Sequence, residues 1–268
     1  MSVPRSPLVA VDVGNARIKL GLFHGDCAVG IPEPVRTLSL VDDAPEADQI
    51  TTWLADEGRQ PLAWWIASVN RPAATRLIDW LGEHRRQDRI TLLASGDLPL
   101  AVRLERPDMV GIDRLVDAVA ANRLRAAERA AVIVDVGTAI TVDLVSAEGA
   151  FCGGAILPGI QMSARALHEF TDLLPLIDAA ELSVPPAAVG TATVPALKSG
   201  LFWGAVGAVR QLIDELGKAA PGGCDGRPYV FLTGGAAEGV AELLGPEARY
   251  VPNLTLAGIA LTAWETTP

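Results

Sequence analysis

The sequence predicts two α/β domains, each a mixed sheet with helices packed on it, and an active-site cleft between them. Three observations point there. Residues 132–145, VIVDVGTAITVDLV, read as strand, tight turn and strand: an apolar β-branched run, Asp135, a turn on Gly137, then alternation through Ile140, Val142 and Leu144. Residues 8–23 repeat the design, with Asp12, Gly14, Asn15 and Lys19 around the bend. The two Asp residues stand about 120 positions apart, the size of one domain, and strands alternate with helical stripes after each hairpin. The expected domains are therefore 1–128 and 129–268.

In order along the chain, the first hairpin gives way to a Pro/Asp/Glu-rich strand edge and loop at 31–48 and a short helix at 49–57. Residues 62–69 form a buried strand, 73–84 a helix with its stripe at Leu77, Ile78, Trp80 and Leu81, and 89–94 a strand. An irregular piece at 99–109 precedes an Ala-rich helix at 111–127. In the second half, a strand at 149–157 follows the hairpin, then a helix at 160–170 and a proline-rich loop at 174–188. The long helix at 195–216 carries small residues Ser199, Gly200, Gly204, Ala205 and Gly207, which suggest close packing against a second element. A strand at 227–232, a helix at 236–244 and a terminal helix at 256–264 complete the chain.

Composition bounds the function. The 268 residues are 50% hydrophobic and 20% charged, an ordinary soluble balance that excludes disordered and fibrous classes. With 22 basic and 32 acidic residues the net charge is −10, and the basic residues are dispersed, which argues for a small ligand rather than nucleic acid. Cys27, Cys152 and Cys224 form no CxxC or Cys/His cluster, so they read as small buried hydrophobes in a reducing cytoplasm. His24, His84 and His168 are dispersed and read as surface or structural residues. No stretch reaches the roughly 18 apolar residues of a membrane helix, so neither secretion nor membrane spanning is expected.

The hairpin bends hold the chemistry. Each offers a carboxylate, a glycine that lets backbone N–H groups approach an anion, and polar side chains: Asn15 and Lys19 in the first, Thr138 and Thr141 in the second. A single Asp-x-Gly bend is an ordinary structural turn; a pair suits a nucleoside triphosphate gripped from two sides, with a carboxylate holding Mg²⁺ against the phosphates. Thr233, Gly234 and Gly235 stand between a strand and a helix, where backbone donors can face a nucleotide or the chain can simply pack tightly. Gly111, Ile112, Asp113 and Arg114 open a helix; the carboxylate can take a substrate proton and the guanidinium hold a carboxylate, or the pair can be a surface ion pair at a helix start. There is no GxxxxGK[ST] and no GxGxxG.

These pieces stand in a particular order: Asp12-Val13-Gly14-Asn15 with Lys19; Ser68-Val69-Asn70; Gly111 to Arg114; Asp135 to Ala139 with Thr141 and Asp143; 153–159, GGAILPG; Leu173-Leu174-Pro175; Gly190 with Thr193; Ser199-Gly200 with Gly204; and Thr233-Gly234-Gly235. In that order, and over nearly the whole chain, the sequence resembles the type III pantothenate kinases of the acetate kinase, sugar kinase, Hsp70 and actin superfamily. The resemblance implies two actin-like (ribonuclease H-like) domains and ATP-dependent phosphorylation of pantothenate to 4′-phosphopantothenate, the first step of coenzyme A biosynthesis. It implies Asp12 near Mg²⁺, with Gly14, Asn15, Lys19, Gly137, Thr138, Thr233, Gly234 and Gly235 facing ATP and its phosphates. It also implies Asp113 as base, Arg114 on the pantothenate carboxylate with Gly111 and Ile112 beside it, and Asp135 as a ligand of an activating K⁺ or NH₄⁺. Family members are homodimers, and Thr193 would reach pantothenate from the other subunit. Three positions depart from the family pattern: Ala16 stands where Thr is usual, Ala192 where Asn or a similar residue is usual, and Leu104 where an aromatic is often found. Each lost hydrogen bond is worth about 0.5–1.5 kcal/mol. The alternatives are a catalytically impaired or regulatory homologue of the same fold, and a kinase of another small hydroxy acid.

Overall fold

The structure is a computed structural model and describes residues 7–25, 30–40, 47–58, 60–220, 227–235 and 237–266. Cys27 and Cys224 lie outside the described residues, as does position 236, where the sixth helix was expected to begin.

The chain forms two compact units, residues 1–124 with 253–268 and residues 125–252. In chain order the first contains β1 (Leu8–Val13), β2 (Ile18–Phe23), β3 (Arg36–Leu40), α1 (Ala47–Trp53), β4 (Ala63–Ser68), α2 (Arg71–His84), β5 (Arg89–Leu92) and α3 (Ile112–Leu124). The second contains β6 (Ala131–Val136), β7 (Ala139–Val145), β8 (Phe151–Pro158), α4 (Ile160–Glu169), α5 (Thr193–Ala219), β9 (Tyr229–Thr233), α6 (Ala237–Leu244) and β10 (Ala248–Tyr250). The last helix, α7 (Leu254–Thr266), belongs to the first unit, not to the second half with which its position in sequence had grouped it.

Both units carry the same sheet. The first is ordered β3-β2-β1-β4-β5 and the second β8-β7-β6-β9-β10. In each, three strands form an antiparallel meander and two more extend it in parallel. A parallel neighbour needs a crossover, and helices such as α2 and α6 supply it. This repeated five-stranded topology is the actin-like, ribonuclease H-like arrangement that the family resemblance implied.

The central strands show why the hairpins form. β1 and β6 are buried at every position except the aspartate, since a strand covered on both faces reads as a continuous apolar run. Around β1, the side chains of Val9, Val11, Leu20, Ile66 and Leu77 are fully buried, each worth about 1.5–3 kcal/mol relative to exposure. An equivalent core in the second unit gathers Val132, Val134, Val142, Phe202 and Leu232. Helices α3 and α7 cross at Gly258, where a Cβ would run into the carbonyl of Val116; only glycine permits that approach.

Some elements differ from expectation. The 3-10 turn Ala179–Leu182 lies inside the proline-rich loop, stabilised by a capping box between Asp178 and Glu181. β10 has three residues, too few for a periodicity to register. α5 starts at Thr193 rather than 195, because Pro195 in the first turn has no N–H to lose. The small residues of α5 divide: Gly200, Gly204 and Gly207 look into open space, whereas Ala205 packs on the core of the second unit and Ser199 is held by its hydroxyl, which donates to the Ala188 carbonyl at 2.7 Å.

Candidate functional site

The two hairpins place their carboxylates at equivalent points. In the first unit Asp12 lies opposite Lys19 in the antiparallel ladder and beside Ala67 in the parallel one. Directly opposite residues share a face, so Asp12 and Lys19 present an acid and an amine side by side, both half-buried. The bend between them closes with the Gly14 N–H donating to the Arg17 carbonyl at 3.1 Å, and Asn15, Ala16 and Arg17 are exposed. Ala16, where the family favours Thr, therefore stands on an open turn.

In the second unit Asp135 lies opposite Thr141 and beside Thr233, so two hydroxyl-bearing residues flank the carboxylate on one face. At two of the surrounding glycines, Gly234 and Gly159, nothing larger fits, whereas Gly137 has room for a Cβ in ordinary contact. A Cβ on Gly137 would stand 3.5 Å and 3.8 Å from the two Asp135 oxygens. One on Gly234, whose φ is +100°, would overlap Asp135 Oδ1 and the Val136 carbonyl. Gly159 packs against the bend itself, its N–H donating to the Thr138 carbonyl at 3.0 Å, and a Cβ there would collide with the carbonyls of Gly137 and Thr138. Gly137, Thr138 and Gly235 are exposed while Thr233 and Gly234 are buried, so this end of the sheet offers a backbone surface next to a carboxylate. The sequence had marked Gly159 only by its motif; its packing role was missed because nothing local links it to a bend some 20 residues earlier.

Asp113 and Arg114 lie in the first turn of α3. Asp113 Oδ1 accepts the Arg114 N–H at 2.8 Å. Gly111 keeps this carboxylate clear, since a Cβ there would come within 2.5 Å of Asp113 Oδ1 and 3.6 Å of Val69 Cγ1. Burial raises the Asp113 carboxyl above the ordinary carboxylate range, and the Arg114 N–H and guanidinium offset that rise only in part. A carboxylate that gives up its proton reluctantly is also one that takes a proton back readily. Ile112 is buried, so its contribution to any ligand is through its backbone. Asp12, Lys19, Gly14, Asn15 and Asp113 with Arg114 thus belong to the first unit, and Asp135, Gly137, Thr138, Thr193, Thr233, Gly234 and Gly235 to the second. Thr193 opens α5 and is exposed; the N-cap before it, Ala192, makes no side-chain cap bond.

As to cations, the oxygens fit both kinds. Mg²⁺ is ordinarily held by one or two carboxylates together with phosphates and water, and Asp12, half-buried beside an exposed bend, is a carboxylate of that kind. A monovalent cation needs several oxygens, and Asp135 has the Thr141 and Thr233 residues beside it and the Val136 carbonyl close by. Among the described residues no cluster of three or more His, Cys, Asp or Glu has metal-ligand geometry, and no helix is long and apolar enough to cross a membrane.

A duplicated actin-like sheet with an Asp-x-Gly hairpin in each unit is an arrangement suited to phosphoryl transfer, and the family match assigns the chain to the kinases. The sequence profile of the type III pantothenate kinases matches residues 8–215, and the chain belongs to that family. It is 34% identical to a type III pantothenate kinase of Paramagnetospirillum magneticum, over 94% of this chain and 95% of that one. A type III pantothenate kinase of Dehalococcoides mccartyi is 33% identical over 95% of this chain and 96% of its own. Among solved structures, a glucokinase from an Antarctic psychrotroph aligns over 98% of this chain and 100% of that one, at 11% identity and a TM-score of 0.49. The family assignment rests on the sequence relatives.

Proposed function

We propose that the protein transfers the γ-phosphoryl group of ATP to the primary hydroxyl of pantothenate, giving 4′-phosphopantothenate and ADP, at the entry to coenzyme A biosynthesis. Family membership supports the reaction. The observation that carries it in this chain is Asp113, a half-buried carboxyl held clear by Gly111 and joined to Arg114 on one helix turn.

Arg114 binds the pantothenate carboxylate through its planar fork, with the backbone of Gly111 and Ile112 beside it. Asp113 accepts the proton of the acceptor hydroxyl as that oxygen bonds to the γ-phosphorus; the β–γ bridging bond breaks and its electron pair leaves with ADP. Asn15 and Lys19 at one hairpin, and Thr138 at the other, donate to the phosphates, while Gly14 and Gly137, whose N–H groups close the bends onto the Arg17 and Ala139 carbonyls, let the phosphates come close. Thr233, Gly234 and Gly235 bring backbone to the nucleotide. Asp12 would hold Mg²⁺ and Asp135 K⁺ or NH₄⁺; bound there, these cations neutralise phosphate charge. We place the reaction in the cytoplasm, where ATP and reduced thiols are both available.

The working protein, in this reading, is a homodimer, with Thr193 of one subunit reaching the pantothenate of the other. Support comes from the surface of the second unit. Phe170, Leu173, Val184 and Val189 are 85%, 86%, 71% and 79% exposed, and the open glycine face of α5 lets another helix approach closely.

The test is an acceptor panel: purified protein with ATP, Mg²⁺, K⁺ and pantothenate or other small hydroxy acids, with sedimentation run in parallel. Turnover on pantothenate by a dimer is expected. Turnover on a different hydroxy acid, or none with nucleotide binding intact, would overturn the assignment of substrate or of activity respectively.

A further inference from the structure

We propose that Asn70 is a positioning residue that sets the direction of the phosphate-facing peptide in the first unit; this deepens the kinase reading above and rests on it. Ser68, Val69 and Asn70 end β4 and lead into α2. The Val69 N–H donates to the Val13 carbonyl at 3.1 Å, carrying the ladder between β1 and β4 one bond beyond the strands. The Ser68 hydroxyl fixes the backbone of Asn70, donating to its carbonyl at 3.0 Å and accepting its N–H at 3.1 Å. On that rigid base the Asn70 side chain divides its two ends. Oδ1 accepts the Ala73 N–H at 3.2 Å and caps α2; Nδ2 donates to the Gly14 carbonyl at 3.5 Å.

The consequence is directional. In a trans peptide the C=O and N–H point opposite ways. With the Gly14 carbonyl turned towards Asn70, the N–H of Asn15 points away from it, at the exposed turn formed by residues 15–17. Glycine at position 14 puts little steric resistance in the way of a flip of this peptide plane. A flip would swap the two groups and offer a carbonyl where an anion needs a donor. Asn70 resists it.

The residue type agrees with the double role. As a helix cap, Asn, Asp and Ser serve about equally well; of the three, only Asn also has an amide donor long enough to reach the next element. The second unit solves the same problem differently. Asp12 pairs with Ala67 and Asp135 with Thr233, so the turns after β4 and β9 are equivalent. After β9 the backbone of Gly234 itself packs on the hairpin, whereas after β4 a side chain bridges the gap.

The test is calorimetric titration of Mg·ATP onto the full-length wild type and three variants, with thermal melts of each. Asn70→Ser keeps the cap but is too short to reach Gly14; Asn70→Asp keeps the cap and lacks the donor; Asn70→Ala loses both. For the first two we expect melting close to wild type and nucleotide affinity weakened about 3- to 10-fold, the worth of one hydrogen bond. Asn70→Ala should bind as weakly and also melt lower. Wild-type affinity in both Asn70→Ser and Asn70→Asp would overturn the proposal and leave Asn70 a helix cap. Because the readout is nucleotide binding, a wild type that binds ATP without phosphorylating pantothenate would overturn the substrate assignment and leave this result standing.

Discussion

Gly234→Ala is the substitution whose cost is best defined by the geometry around Asp135. At φ +100° an L side chain is disfavoured by about 1–2 kcal/mol. The new Cβ would also stand 2.6 Å from the Val136 oxygen and 2.7 Å from its carbonyl carbon, besides overlapping Asp135 Oδ1. Carbon atoms in good contact are about 3.5–4.0 Å apart, so the β9 turn or the hairpin must give by about 1 Å. Two of the three crowded atoms are backbone, and only Asp135 Oδ1 ends a side chain. Overpacking of this kind costs about 1–3 kcal/mol, so the total loss should be about 2–5 kcal/mol. For a protein of this size that lowers Tm by about 4–20 °C. Urea denaturation measures the loss, and Gly82→Ala is the control: it lies within α2 with no neighbouring atom within 4 Å, and alanine there should gain about 0.5–1 kcal/mol. A Gly234→Ala variant within 1 kcal/mol of wild type would refute the packing argument, and with it the reason given for the glycine pair.

The half-buried Asp113 sets a pH dependence of opposite sign for activity and stability. Its folded value is raised, so its contribution to stability is present at low pH and is lost as pH climbs from the ordinary carboxylate range to the raised one; kcat/KM rises over the same window as the base ionises. A pH–rate profile should show an acid limb above the usual carboxylate position, and Asp113→Asn should abolish it without lowering stability at neutral pH. Asp135→Asn removes a charged oxygen from the proposed cation site, so titrating K⁺ at fixed ATP should show a weakened dependence on the ion; an unchanged K⁺ curve counts against that site. Ala192 caps α5 without a side-chain bond, so Ala192→Asn should raise stability by about 0.5–2 kcal/mol in denaturant melts, and no gain would mean the helix start is satisfied in another way.

The parts of the fold legible in the sequence are those with a local signature. β1 to β2 and β6 to β7 announce themselves through an apolar run, an Asp-x-Gly bend and renewed alternation, and α2 through its stripe, although it begins at Arg71 rather than at 73, because Asn70 caps it and Pro72 suits a first turn. What was hidden depends on distant partners. α7 is apolar nearly all round, and nothing within it says that it packs on α3 and the first sheet rather than on the nearer unit. The open glycine face of α5 has the composition of a packed one; small residues permit close approach but do not name the element that uses it. At the candidate site, Asp12, Asp113 and Asp135 were found from residue type and from the order of the motifs, since a single Asp-x-Gly bend or an Asp at a helix start is ordinary on its own. Asn70 and Gly159 were not assigned a role, because each acts on a hairpin far away in sequence, Asn70 on Gly14 and Gly159 on Thr138.

Transfer of labelled γ-phosphate from ATP to pantothenate, compared between wild type and Asp113→Asn with the product identified by mass spectrometry, tests the central claim most directly. Removing a general base costs about 10²–10⁴ in rate, so the wild type should form 4′-phosphopantothenate and the variant should lose kcat on that scale while binding ATP as before. An Asp113→Asn variant that transfers phosphate at the wild-type rate, or a wild type that binds ATP and leaves pantothenate unlabelled, would contradict the account.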